Sequence, residues 1–375
     1  MALMKKILKF IIMFCLKIFC VFPIKHNRIV FFAYSGKKYG CNPKVISDFL
    51  LLQGKYELIW LFRRRPKKFN LPKGIKKFWR YSPLAIYYIY SAKLIIDNYR
   101  MRFIFYGIKN RQLSINTWHG GGAYKRVGVI NFEGNGYYDD IFLSSSQKFS
   151  NLFLIGDNHF PGTVLPIGMP RNDVFFSPEK VQNANQKVRE HFSIPADSLL
   201  VLYAPTWRES RKSSLYGIDV PRIKAAFEKR FCKSVVFAVR MHHFIEGSLK
   251  VNDALDFGAY LDMQELLCAS DAVITDYSSL QWDFCHLKRA GFLYCTDIEE
   301  YLNERKGYFY TPIETWGFPL AQNNDELEKN ILEYDEQKAK EKIQHHLDFL
   351  GNYEDGHATE KVCSFIEKIC FGEGK

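Results

Sequence analysis

The chain has 375 residues, 47% hydrophobic, 25% charged and 16% aromatic, with a formal net charge of +12. That length predicts two domains, and that apolar fraction fills two cores, which excludes an intrinsically disordered protein. Nine cysteines with no Cys-x-x-Cys pair and no histidine-rich partner spacing exclude a zinc ribbon and a disulfide framework; a reducing compartment, with no metal and no cofactor, is expected.

The charge is concentrated at one end. From Met1 to Arg80 there are 19 lysines and arginines against only Asp48 and Glu57, so the remainder is net acidic. A nucleic-acid enzyme would carry positive charge around its cleft as well. A one-ended excess interleaved with apolar residues better suits an anionic membrane surface. Within residues 1–24 no apolar run approaches the roughly 20 residues needed to cross a bilayer. On a helix, Lys5, Lys9, Lys6 and Lys17 fall at about 0°, 40°, 100° and 120°, one basic stripe on an apolar surface. This predicts an in-plane amphipathic membrane-association segment; an N-terminal core helix and a cleaved signal sequence are the alternatives.

Beyond residue 24 the pattern alternates. Strands are expected over 28–34, 57–62, 75–79, 93–97 and 114–118. Asn42-Pro43 opens a helix through Leu52, and Ser82-Pro83 opens another, each with a capping side chain followed by proline at the first helical position. The second half continues with strands over 199–204, 235–239, 272–275 and 292–295, separated by helical segments. This alternation predicts an α/β fold with parallel sheets covered on both faces. A Pro-rich polar stretch over 178–195 is the expected hinge. It divides the chain into domains of residues 25–180 and 181–375.

In such folds ligands sit beyond the carboxyl ends of the strands. Five segments stand there. Residues 117–126, TWHGGGAYKR, combine Trp118 and His119 with bare backbone at Gly120 and Gly121, and a helix can begin at Ala123; His119 is a candidate general base or a turn-capping histidine. Residues 275–284, TDYSSLQWDF, place Ser278 and Ser279 at a helix start. There they form an oxyanion or phosphate seat or a plain N-cap, with Asp276 beside them to orient a neighbour or accept a hydroxyl. Residues 239–244, VRMHHF, put Arg240, His242 and His243 at a strand end, Arg240 and His242 on one face if the strand continues. Thr206 and Arg208 in YAPTWRES can contact a diphosphate. Arg171 lies in GMPRNDVF, residues 168–175, which reads as a turn ending the first domain. No Walker phosphate loop, His-Glu-x-x-His or Gly-x-Ser-x-Gly is present.

Taken in order, TWHGGGAYKR, GMPRND, YAPTWRE, VRMHH and SDAVITDYSSLQWDF resemble the CDP-glycerol glycerophosphotransferase family, which primes and polymerises teichoic acids and related capsules. The likeness runs from about Arg28 to the YEDGHATEKV segment, residues 353–362. It implies a GT-B architecture of two Rossmann-like domains, with CDP-glycerol as donor and a polyprenyl-diphosphate-linked acceptor. It also implies peripheral attachment at the cytoplasmic face of the bacterial membrane, and no nucleic-acid partner. By position, His119 resembles the family's base on the acceptor hydroxyl and His242 its second essential histidine. Ser278 and Ser279 resemble the donor-diphosphate seat, Arg208 the arginine of Thr-Trp-Arg, and His357 a member of the Asp-Gly-x-Ala-Ser/Thr motif. The chain departs from the family with glycines after Trp-His-Gly and with Trp316-Gly317-Phe318-Pro319 before the final helices. A CDP-ribitol transferase, a sugar-nucleotide GT-B glycosyltransferase and a non-catalytic assembly protein are the rival readings.

Overall fold

The computed structural model describes residues 21–99, 112–126, 139–206, 217–241, 253–305 and 309–372. Thirteen strands among them form two sheets. Seven make the first: β1 (Lys25–Phe31), β2 (Glu57–Phe62), β3 (Lys76–Trp79), β4 (Ala92–Asp97), β5 (Leu113–Asn116), β6 (Ile141–Ser144) and β7 (Thr163–Pro166), in the order 3-2-1-4-5-6-7. The second holds β8 (Leu199–Ala204), β9 (Val235–Val239), β10 (Leu255–Asp256), β11 (Ala272–Thr275), β12 (Ala290–Tyr294) and β13 (Leu320–Ala321), in the order 10-9-8-11-12-13. Every pairing between these strands is parallel. The α/β class with parallel sheets is as expected.

Parallel strands buried on both faces read as continuous apolar runs, and β1 and β2 do. Alternate residues then serve opposite layers. Ile29 and Phe31 pack with Ile46 and Leu50 of helix Cys41–Leu52, whereas Val30 and Phe32 pack with Ala85 and Ile89 of helix Pro83–Ser91. In the second sheet Val201 and Tyr203 join Ile223 and Phe227 of helix Val220–Phe231. Leu200 and Leu202 face a larger cluster that runs on into Phe142, Phe149 and Phe153 of the first half, so the two halves share a core. The last helix, Ala358–Phe371, crosses back: Val362, Cys363 and Ile366 pack on the first sheet beside β1 and β2.

Three local expectations need correction. The stretch read as a hinge contains helix Pro178–Phe192, capped by Ser177 accepting from the Lys180 amide, and the residue-180 boundary falls inside it. Ala184 and Val188, four apart, bury one stripe of an otherwise polar helix, which disguised it as a linker. No helix begins at Ala123 among the described residues; Gly122 turns at φ +67° and Lys125 bridges antiparallel to Phe309. Asn42 does not cap its helix. Its Nδ2 donates instead to the carbonyls of Thr117 and Trp118, at 2.8 and 3.1 Å. Among the described residues, no helix is long and apolar enough to cross a membrane.

Candidate active site

Each sheet reverses its winding once, between β1 and β4 and between β8 and β11, and parallel sheets bind ligands at such switch points. Both are bridged by polar contacts just past the strand ends. At the first, the Tyr34 amide donates to Asn98 Oδ1 at 2.7 Å. At the second, the Asp276 carboxylate accepts from the Thr206 amide at 2.9 Å and from Thr206 Oγ1 at 2.5 Å. Asp276 is buried.

His119 lies beside the first bridge. Its Nδ1 is 2.8 Å from the Asn98 carbonyl, which accepts only, so Nδ1 carries the proton and Nε2 keeps its lone pair. Burial, reinforced by the Arg171 and Lys125 charges, pulls its pKa down to about 4, so the ring is a neutral acceptor at working pH. Tyr34, Tyr99 and Trp118 surround it, with ring centroids at 5.9, 5.8 and 4.4 Å. The backbone here is strained: Tyr34, Ser35, Cys41 and Trp118 adopt left-handed φ values of 48°, 58°, 61° and 52°. Such conformations persist only where surrounding contacts enforce them, and they concentrate at functional sites.

The loop after His119 is pressed against the second half. A Cβ placed on Gly120 would stand 2.9 Å from Ser279 Oγ, and one on Gly121 would stand 1.8 Å from Trp282 Cδ1. Only glycine permits this approach. The glycine loop that follows His119 and the Ser279 helix start therefore meet across the junction. Ser278 Oγ accepts from the Leu280 amide at 3.2 Å, and Ser279, at the N-cap position, makes no capping hydrogen bond with its side chain.

Under this contact lies a buried polar cluster. Arg171 donates through Nη1 to the His119 carbonyl at 2.7 Å and pairs through Nη2 with Asp283 of the second half at 2.9 Å. Asn172 donates to Asp283 at 3.0 Å and to Glu354 at 3.1 Å. Glu354 also accepts from the Met169 amide at 2.8 Å and from Trp282 Nε1 at 3.1 Å. Burial pushes its pKa up to about 8. Asp173 accepts from the Ala358 and Thr359 amides at 3.0 and 2.7 Å, capping the last helix. The segment expected as a turn ending the first domain is thus a hub for both halves.

Of the remaining expected residues, Arg240 sits just past β9, where the strand has ended, its amide donating to the Tyr203 carbonyl at 2.9 Å. Burial lowers its pKa, and it lies near enough to Tyr34 for their charges to interact. His357 is exposed, 3.1 Å from Glu360, away from the buried cluster that its neighbour Glu354 joins. Arg208 and His242, like the amphipathic stripe on residues 5–17, lie outside the described residues. Tyr34, Asn42, Asn98, Asp283 and Glu354 were not singled out from the sequence as site residues. Asn98 directly follows β4 and Tyr34 lies three residues past β1, which was the available signal; the others act across distances that spacing does not encode.

Two parallel sheets with bridged switch points, joined where the glycine loop after His119 meets a serine-bearing helix start, define a two-sheet α/β enzyme whose candidate active site lies between its halves. Residues 13–368 match the family described as CDP-Glycerol:Poly(glycerophosphate) glycerophosphotransferase, and the chain belongs to that family; it is a glycerol-phosphate transferase. It is 28% identical to the teichoic acid poly(glycerol phosphate) polymerase of Bacillus spizizenii, over 92% of this chain and 93% of that one. It is 26% identical to the teichoic acid glycerol-phosphate transferase of Staphylococcus aureus, over 97% and 98%. Among solved structures it resembles the wall teichoic acid polymerase TagF, in a variant soaked with CDPG, with TM-score 0.80 and 28% identity over 92% of this chain and 90% of that one.

Proposed function

We propose that this enzyme transfers glycerol phosphate from CDP-glycerol to a polyprenyl-diphosphate-linked glycan or glycerol-phosphate polymer, releasing CMP. In this reading the two sheets form a GT-B pair. The first half presents the acceptor and the second holds the cytidine-activated donor. His119 Nε2 takes the proton from the acceptor's terminal hydroxyl, the oxygen attacks the β-phosphorus in line, and CMP departs. Nδ1 stays on the Asn98 carbonyl throughout and fixes the tautomer. Charge growing on the transferring and bridging oxygens meets the Ser278 and Ser279 hydroxyls, with His242, Arg208 and Arg240 as cationic partners.

The observation that supports this reading is the close approach of Gly120, the residue after His119, to Ser279. Mass spectrometry of the product made from CDP-glycerol and a defined lipid-linked acceptor tests it. The expected product is heavier by whole glycerol-phosphate units. Product from CDP-ribitol alone would contradict the donor assignment.

The membrane side of the proposal rests on the basic apolar stretch over residues 1–24, at the cytoplasmic face where a lipid-linked acceptor is available. Deleting residues 1–23 should release the protein from anionic vesicles while leaving a soluble acceptor analogue usable. Unchanged vesicle binding would make that segment structural instead.

A further inference from the structure

The His119 loop does not hold its own shape. The peptide carbonyl of His119 accepts from Arg171, and the carbonyls on either side of the preceding peptide, those of Thr117 and Trp118, accept from Asn42. Asn42 in turn accepts from the Arg171 amide at 3.0 Å, so one arginine ties together both supports of the strained Trp118–His119 turn. Arg171 is itself gripped by Asp283, from the helix Leu280–Cys285 that Ser279 begins. Asp283 is held in turn by Asn172 at 3.0 Å and by Gln264 at 3.1 Å. Arg171, Asn172 and Asp283 are all buried.

From this chain of contacts we infer that Arg171 is a positioning residue that sets His119 from the donor half, so that the base is correctly placed only while the Ser279 helix is docked. The planar fork of the guanidinium holds the His119 carbonyl with one nitrogen and a carboxylate with the other, a geometry that a lysine ammonium cannot reproduce. Seating of the donor on Ser278 and Ser279 would thereby act on the geometry of the base on the other side of the junction. The inference rests on His119 acting as the base, and its test separates the two.

Turnover and KM for CDP-glycerol are measured for wild type, Arg171→Lys, Asp283→Asn, His119→Ala and the double variant Arg171→Lys/His119→Ala, each normalised to folded protein by circular dichroism. Displacing a reacting group by about 1 Å costs up to about 100-fold, so Arg171→Lys should lower kcat about 10- to 100-fold with KM for CDP-glycerol within about twofold of wild type. Asp283→Asn, which keeps the shape and removes the charge, should fall between. In the His119→Ala background, Arg171→Lys should cost nothing further, because its effect runs through the missing ring. A kcat for Arg171→Lys within about twofold of wild type, or an undiminished loss in the double variant, overturns the inference while His119→Ala remains crippled. If His119→Ala itself turns over normally, the underlying assignment has failed instead.

Discussion

At the scale of single residues, the two titratable groups with the clearest environments pull in opposite directions. His119 is depressed to about 4 from an ordinary 6.5. As the proposed base of the free enzyme it should place the acidic limb of kcat/KM near pH 4 rather than near 6.5, where an ordinary histidine would titrate. A pH–rate profile with its limb at an ordinary histidine value would contradict this. In stability, the unfolded His119 binds a proton that the folded one refuses, so its contribution grows as pH rises from about 4 to about 6.5.

Glu354 has the reverse sign. It is raised from 4.5 to about 8, so the folded state holds a proton that the unfolded state releases; its contribution is complete below about 4.5 and lost as pH rises through about 8. Glu354→Gln removes the titration and keeps one of the two acceptor oxygens, so either Met169 or the Trp282 and Asn172 pair loses its acceptor. Denaturant melts at pH 5, 7 and 9 should therefore show a flatter stability profile for this variant than for wild type. Parallel profiles would place the ionisation elsewhere.

At the scale of elements, the contact between the glycine loop and helix Leu280–Cys285 makes a sharp steric prediction. Gly121→Ala drives a methyl into the Trp282 indole and should impair turnover, and Trp282→Leu should recover part of it by opening the space. Additive losses in the two variants would show that the loop escapes the indole. Trp282→Leu alone should destabilise, since it removes a buried ring and the Glu354 hydrogen bond. This is also where the sequence was informative in part. Strands 57–62, 199–204, 235–239 and 272–275 match the observed β2, β8, β9 and β11 residue for residue, because buried parallel strands are unbroken apolar runs bounded by polar turns. Ser82 does accept from the Ala85 amide, as its Ser-Pro signature predicts. Helix Pro178–Phe192 was missed because only Ala184 and Val188 of its residues are buried. β6 and β7 were missed, β7 because none of its residues is buried.

At the scale of the whole molecule, the placement of His119, Thr206, Asp276, Ser278 and Ser279 just past strand ends was legible, because sheet topology delivers strand ends to one rim. Their assembly was not. Arg171, Asp283 and Glu354 lie 112 and then 71 positions apart in the chain, and only the crossing of the last helix onto the first sheet brings Glu354 beside them. A turn motif such as Gly-Met-Pro-Arg-Asn-Asp reveals its composition in sequence, but not that three of its side chains bond residues of the other half.

The most direct test of the account is single-turnover release of CMP from CDP-glycerol in the presence of a lipid-linked acceptor, comparing wild type with His119→Ala and measuring donor affinity in parallel. Loss of a general base predicts turnover about 10²- to 10⁴-fold slower with CDP-glycerol affinity preserved. Near-wild-type release by His119→Ala, or no CMP release from CDP-glycerol by the wild-type enzyme, would contradict the account.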